Sequence, residues 1–251
     1  MSTPPFTLAN PPIVEVVLDI ECDFPPGLEI KALEEPSRKQ FRDTYPKMRT
    51  EFRQQFQIES SPVGQLSHST RRDVQAYQFL QEDEKQLVQV RAPGYSFNRL
   101  APYSGFDHYV PEIRRTWNLY REIASPMQIR KVRLRYINRI HLPVEEGRVD
   151  LDDYFRIGPR LPDELRLRLI GFLNQFEAVE PDSGYLVTAV LTAEQEQHGK
   201  LPVIFDNAVA ATQAVDPADW EQIEAALQSL RNVKNGVFRN AVSDKCLNLF
   251  R

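Results

Sequence analysis

The chain has little cysteine, little glycine, no long apolar run and no surplus of positive charge. Each shortage removes a class of function. The two cysteines, Cys22 and Cys246, stand far apart with no CxxC and no histidine nearby. That argues against a zinc site and against a disulfide framework, and both are expected as free thiols in a reducing cytoplasm. The ten glycines are scattered. Neither GxGxxG nor GxxxxGK followed by Ser or Thr occurs, so the phosphate-cradling loops of nucleotide enzymes are missing. HExxH and GxSxG are absent too. No stretch approaches the roughly 18 consecutive apolar residues of a membrane span. The opening MSTPPFTLANPP has no basic segment followed by an apolar one, so no secretory signal is expected. With 31 basic and 35 acidic residues the net charge is −4, and no global positive field draws in nucleic acid. These exclusions lead to an expectation of a cytoplasmic protein with no cofactor and no metal.

What is present reads as a globular chain. It is 41% hydrophobic and 26% charged, enough apolar material for a real core. IVEVVLDIECD alternates, with Val14, Val16, Leu18, Ile20 and Cys22 on one face and Glu15, Asp19, Glu21 and Asp23 on the other. That is a strand with one buried side. Residues 28–48 suggest a short or broken helix, with Leu28, Leu33, Phe41 and Tyr45 as inward positions. Further strands are expected at 51–58, 73–81, 86–91 and 95–100, the middle two joined by the acidic turn Glu82–Lys85. Ser104 with Asp107 resembles a capping box, opening a helix that carries Ile113, Trp117 and Tyr120. A central strand follows, then a loop holding Asp152 and Asp153, which read as a cap and not a metal site. More strands are expected at 165–170, 185–193 and 201–205. Asp216-Pro217 with Asp219 predicts a helix start, and Trp220, Ile223, Leu227 and Leu230 keep the helical period. A last amphipathic piece runs from Val237 to Phe250.

The element order repeats about Ser125. The expected fold is α+β: two β-α-β(3-4)-α halves forming one curved antiparallel sheet of about eight or nine strands, with two long helices on one face. The arrangement is similar to the saddle of the TATA-binding protein, with a helix-grip fold as the alternative. Residues 1–12 are expected as a tail, 13–125 as the first half and 126–251 as the second, both within one structural unit.

The segment RKVRLRYINRI, Arg130 to Ile140, gathers five cations. By parity, Val132, Leu134, Tyr136 and Ile140 share a face with Asn138, and Lys131, Arg133, Arg135 and Arg139 share the other. Acidic residues of the first strand would face these cations in a cross-strand ladder that sets register. The binding candidates among them are Arg133, Arg135 and Arg139, whose guanidinium forks suit phosphate, and Asn138, a polar residue on the core side. FNRLAPY adds Asn98, Arg99 and Tyr103 where a strand hands over to a helix, a place that favours anions.

Several segments together resemble a sporadically distributed family of uncharacterised bacterial proteins of about this length. They are NPPIVEVVLDI, YQFLQEDEKQLVQV leading to YSFNRLAPY, LRYINRIHLP, LDDYF and FRNAVSDKCLNLF, in the same order along nearly the whole chain. One departure is Val242-Ser243, where the family more often keeps threonine. The resemblance carries no activity, cofactor or catalytic residue. Its patchy occurrence is that of accessory genes.

The function read from all this is a non-enzymatic binding protein: a protein-interaction module of antitoxin, immunity or defence type, with another protein as partner. The alternatives are a small-molecule binder with a cavity between sheet and helices, and an enzyme with dispersed acid-base residues. Nucleic acid comes last. Exposed edge strands would make a homodimer unsurprising.

Overall fold

The computed structural model describes residues 8–60, 66–160 and 170–251 of the chain. Among the described residues there are nine strands: β1 (Ile13–Asp23), β2 (Lys47–Ser60), β3 (Leu66–Leu80), β4 (Gln86–Arg91), β5 (Gly94–Leu100), β6 (Gln128–Pro143), β7 (Leu173–Val179), β8 (Leu186–Ala193) and β9 (Lys200–Ala211). The α-helices are α1 (Glu34–Phe41), α2 (Val110–Ala124), α3 (Trp220–Ala241) and α4 (Asp244–Asn248). The fold is α+β. All the strands form one antiparallel sheet in the order β2-β3-β4-β5-β1-β6-β9-β8-β7.

The period-two pattern of β1 decides which way the sheet faces. Val16, Leu18, Ile20 and Cys22 are buried. They belong to one cluster with Tyr95, Phe97, Leu134 and Tyr136 from the neighbouring strands, Trp117 and Tyr120 from α2, and Ile223, Leu227 and Leu230 from α3. Fully burying each large apolar side chain stabilises by roughly 1.5–3 kcal/mol. The Trp117 indole N–H donates to the Pro217 carbonyl at 3.1 Å, which satisfies its polar end inside the core. A second cluster joins Ile140, Leu142, Leu191, Val203 and Phe205 to Tyr154, Phe155, Phe238, Cys246 and Phe250.

β1 and β6 are neighbours at the middle of the sheet. Leu18 lies opposite Leu134, Asp19 opposite Arg133 and Glu21 opposite Lys131. On the other side of β1, Gly94 lies opposite Glu21. Its φ is +152°, and a Cβ there would meet the Ile20 carbonyl oxygen at 2.0 Å. Only glycine allows that approach.

Several elements differ from the sequence expectations. Ser104 does not cap α2: its hydroxyl lies 2.6 Å from the Tyr109 hydroxyl, and the helix starts at Val110 with Pro111 in its first turn. The α3 cap is Asp219, which accepts from the Gln222 N–H at 3.0 Å. Asp216 forms a local turn with the Ala218 N–H at 2.8 Å, leaving Pro217 ahead of the helix. Leu28 is exposed, whereas Leu33, Phe41 and Tyr45 are buried. α3 runs on to Ala241, and Ser243 then caps a separate α4 through the Cys246 N–H at 3.1 Å. β9 extends past Phe205 because the polar pair Asp206 and Asn207 finds partners within the ladder and against α3. β7 gives no apolar period in the sequence because it is an edge strand with nearly every residue exposed. The strand expected at 165–170 falls almost wholly outside the described residues, and Ile170 is not in a strand.

Candidate functional site

The side chains of β1 and β6 that point away from the core form a ladder of ion pairs. Lys131 meets Glu21 at 3.5 Å, Arg133 meets Asp19 at 3.9 Å and Arg130 meets Asp23 at 3.0 Å. Arg135 grips Asp206 of β9 with both carboxylate oxygens engaged, Nε to Oδ1 at 2.8 Å. Arg139 binds Glu194 at 2.7 Å. Asp19, only 7% exposed, also accepts from Ser96 and Arg91. Asn98 donates to Glu15 at 2.7 Å and accepts from Gln89 at 2.8 Å. The candidates Asn98, Arg133, Arg135 and Arg139 therefore all lie here, and each is held by a partner within the chain. The Asp206 carboxylate, with its hydrogen bonds, moves the Arg135 pKa upward, beyond what burial takes away.

On the core side the picture changes. Asn138 is 3% exposed. Its amide donates to the Phe205 carbonyl at 2.9 Å, beside an irregularity in the β1–β6 register. It also lines a pocket of about 290 Å³ with Tyr103, Ser104, Arg231, Lys234 and Phe238. The segment Leu8–Pro12 forms another wall. It is pinned by the Asn10 N–H on the Phe250 carbonyl at 3.0 Å and the Arg139 N–H on the Pro12 carbonyl at 2.8 Å. Of the sequence candidates, Tyr103 and Asn138 are thus brought together. Arg99 does not line the pocket; its guanidinium carbon is 5.5 Å from the centre of the Tyr109 ring.

Arg231 and Lys234 were not among the sequence candidates. Both sit on α3, three residues apart, where the helical period places them as neighbours on one face. Arg231 donates to Asp107 at 2.7 Å near the mouth. Lys234 is 7% exposed, with its ammonium nitrogen 3.4 Å from the centre of the Tyr136 ring. No carboxylate lies within ion-pair distance of it among the described residues. Burial, aided by the charge of Arg231, pulls its pKa down from 10.5 to about 7. The face of Tyr136 acts the other way, since a ring quadrupole attracts a cation.

The surroundings are polar in an incomplete way. Asn207, opposite Tyr136 in the ladder, donates to the Lys234 backbone carbonyl at 3.0 Å, and its own Oδ1 has no hydrogen-bond partner. The Tyr103 and Tyr136 hydroxyls are 3.3 Å apart. Burial moves the pKa of both upward, so both are neutral donors at ordinary pH. Tyr109 goes the other way. Burial opposes its ionisation, but hydrogen bonds from Ser104 and Arg99 outweigh burial and lower its pKa. Cys22 and Cys246 offer no thiolate: burial pushes each thiol up to about 12.

The signal for Lys234 was in the sequence. The apolar stripe Ile223, Leu227, Leu230 continues at helical spacing through 234 to Phe238, so a lysine interrupts a core-facing row. No family model matches the chain, and no curated protein matches it. Among the described residues, no helix is long and apolar enough to cross a membrane.

Proposed function

We propose that the protein binds a compact anionic small molecule, a carboxylate or phosphate, in the pocket between α3, β6 and the loop at Tyr103. One observation carries this reading: Lys234 is a buried ammonium with no counter-ion from the described chain. A charge removed from water costs several kcal/mol unless something pairs with it. Cavities of a few hundred cubic ångströms with a few convergent polar groups are the usual form of a ligand site. Asn138, Ser104 and Tyr103 supply hydrogen-bonding groups, and Arg231 supplies a second cation near the mouth. The test is a calorimetric titration of the whole protein with acetate, succinate and inorganic phosphate, repeated on Lys234→Met. Saturable binding of one of them that drops at least tenfold in the variant supports the reading. Equal binding by the two proteins removes it.

The pocket is set into a sheet whose two parts we infer to be duplicated halves. Strands β1, β5, β4, β3 and β2 run outward from the centre on one side, and β6, β9, β8 and β7 on the other; apart from the extra edge strand β2, the order supports the duplication. The shared cluster of α2 and α3 side chains with β1 and β6 supports placing both long helices on one face, as in a saddle-like or helix-grip arrangement.

A second reading is a protein-interaction module of accessory type, with another protein or a second copy as partner. It is favoured by exposed apolar side chains on the edge strand β7 and its neighbour: Leu173 at one end, and Val179 opposite Leu186 at the other. Substituting Leu173 and Val179 with Lys would abolish a stable complex in a pull-down from the native host. Retention of the complex would discard this surface.

A further inference from the structure

Resting on the anion-binding reading, we infer that the ligand class is a small 2-oxo acid and that Lys234 captures it as a reversible imine. Three features point to a carbonyl group as well as a carboxylate. First, the two basic side chains differ in kind. Arg231 is a guanidinium near the mouth, already bonded to the exposed carboxylate of Asp107, and a planar fork of that type suits a carboxylate. Lys234 lies one helical turn further along, 7% exposed over the Tyr136 ring, with no hydrogen bond from its amine to any described residue. Second, its setting is that of an activated lysine. A desolvated amine next to another cation is held partly unprotonated near neutral pH, and an unprotonated amine is a nucleophile. Its pKa of about 7 agrees with that setting. Third, the pocket of about 290 Å³ fits a short acid spanning one turn of α3, and neutral phenol groups of Tyr103 and Tyr136 stand in its vicinity.

The chemistry balances without any further reagent. The lone pair of Lys234 Nζ forms a C–N bond to the carbonyl carbon. The C=O π pair moves to oxygen, which takes up a proton as nitrogen releases one. The resulting hydroxyl takes the second proton of the nitrogen and leaves as water as the nitrogen lone pair forms the C=N bond. Amine and carbonyl give imine and water, with nothing oxidised or reduced. Arg231 holds the carboxylate throughout, exchanging the exposed Asp107 carboxylate for it, and the phenols exchange protons with the departing oxygen.

The experiment uses the whole wild-type protein with pyruvate and sodium cyanoborohydride at pH 7, followed by intact-mass measurement and peptide mapping. The expected result is one adduct per chain, on Lys234, suppressed by excess succinate. Its rate of formation should rise from pH 6 and level off above about pH 7, whereas labelling of surface lysines, which titrate at about 10.4, keeps climbing tenfold per pH unit. Lys234→Arg, which keeps the charge, should lose the adduct. No adduct on Lys234, or labelling spread evenly over the lysines, overturns the inference. Calorimetry with lactate, which has the carboxylate but no carbonyl, separates this failure from that of the parent reading. If lactate and pyruvate bind alike, depend on Lys234 and give no adduct, the site is an anion site only. If neither binds and no adduct forms, both readings fall.

Discussion

The two sides of the central strands handle charge in opposite ways. Away from the core, β1 and β6 carry complementary stripes of charge, and the cations are answered: Lys131 by Glu21, Arg133 by Asp19, Arg135 by Asp206 and Arg139 by Glu194. Towards the core there is little charge, and Lys234 is left without a carboxylate. Abundant charge is therefore the poorer guide to a site. A chain that supplies its own counter-ions has used those groups for register and strand pairing. A buried cation without one is held at a cost and awaits an outside partner.

The sharpest way to break the comparison is to spoil the ladder at its most buried member. Asp19 holds Ser96, Arg91 and Arg133. Asp19→Ala strands all three and should cost about 3 kcal/mol in urea denaturation, in line with breaking a buried pair from one side. Anion binding by the folded fraction should stay unchanged. A loss of binding matching the loss of stability would show that the two sides are not independent.

Lys234→Met should do the reverse, raising stability by about 1–4 kcal/mol because an apolar isostere replaces an unpaired buried charge. The pH dependence has a definite sign. The lysine titrates near 10.5 when unfolded and at about 7 when folded. Between those values only the unfolded chain holds the proton, so wild-type stability rises with pH across that window. Below pH 7 both states are protonated and the full cost is present. The advantage of the Met variant should thus be largest at pH 6 and fade towards pH 10. A pH-independent difference would mean that Lys234 is neutral or paired throughout.

The contrast also explains what was legible in the sequence. The β1 and β6 alternation is interrupted at positions such as Val17, Arg130, Ile137 and Asn138, but most of the buried faces and the charged faces could be assigned by parity. The adjacency of the two strands followed from complementary stripes. The partner of Arg135 was not legible, because Asp206 lies just past the apolar run at 201–205 and only the longer β9 brings it alongside. β7 was missed because an edge strand needs no apolar face. Tyr103 and Asn138 were picked out separately, for an anion-favouring end and for a polar residue on a core face. Only the fold brings them to one pocket, across a loop and a register irregularity. Lys234 was visible as an interruption of the α3 stripe, but a single lysine in a helix is ordinary on a surface. Its meaning depends on Tyr136 and Asn207, which come from different strands.

A charge swap tests the ladder pair by pair. Arg135→Glu should destabilise by about 1–2 kcal/mol, since it sets a carboxylate against Asp206 in a partly buried position. Adding Asp206→Arg should return about 1 kcal/mol of coupling energy, read from a double-mutant cycle. Adding Asp19→Lys in place of that change should return less, because Arg135 bonds Asp206 directly and Asp19 only at longer range. Equal rescue by both would mean that the stripe acts as a diffuse field and not as matched pairs.

The smallest effect belongs to the outermost rung. Arg139 and Glu194 are each more than a third exposed, so Arg139→Ala should change stability by about 0–1 kcal/mol, a difference that disappears in high salt. If phosphate binding fell with Arg139 while persisting in Lys234→Met, the anion site would lie on the off-core ladder and the contrast between the two sides would be inverted. If Arg139→Ala leaves phosphate binding intact, the ladder cations of β6 are taken up by their partners, and Lys234 remains the place where this chain meets an anion.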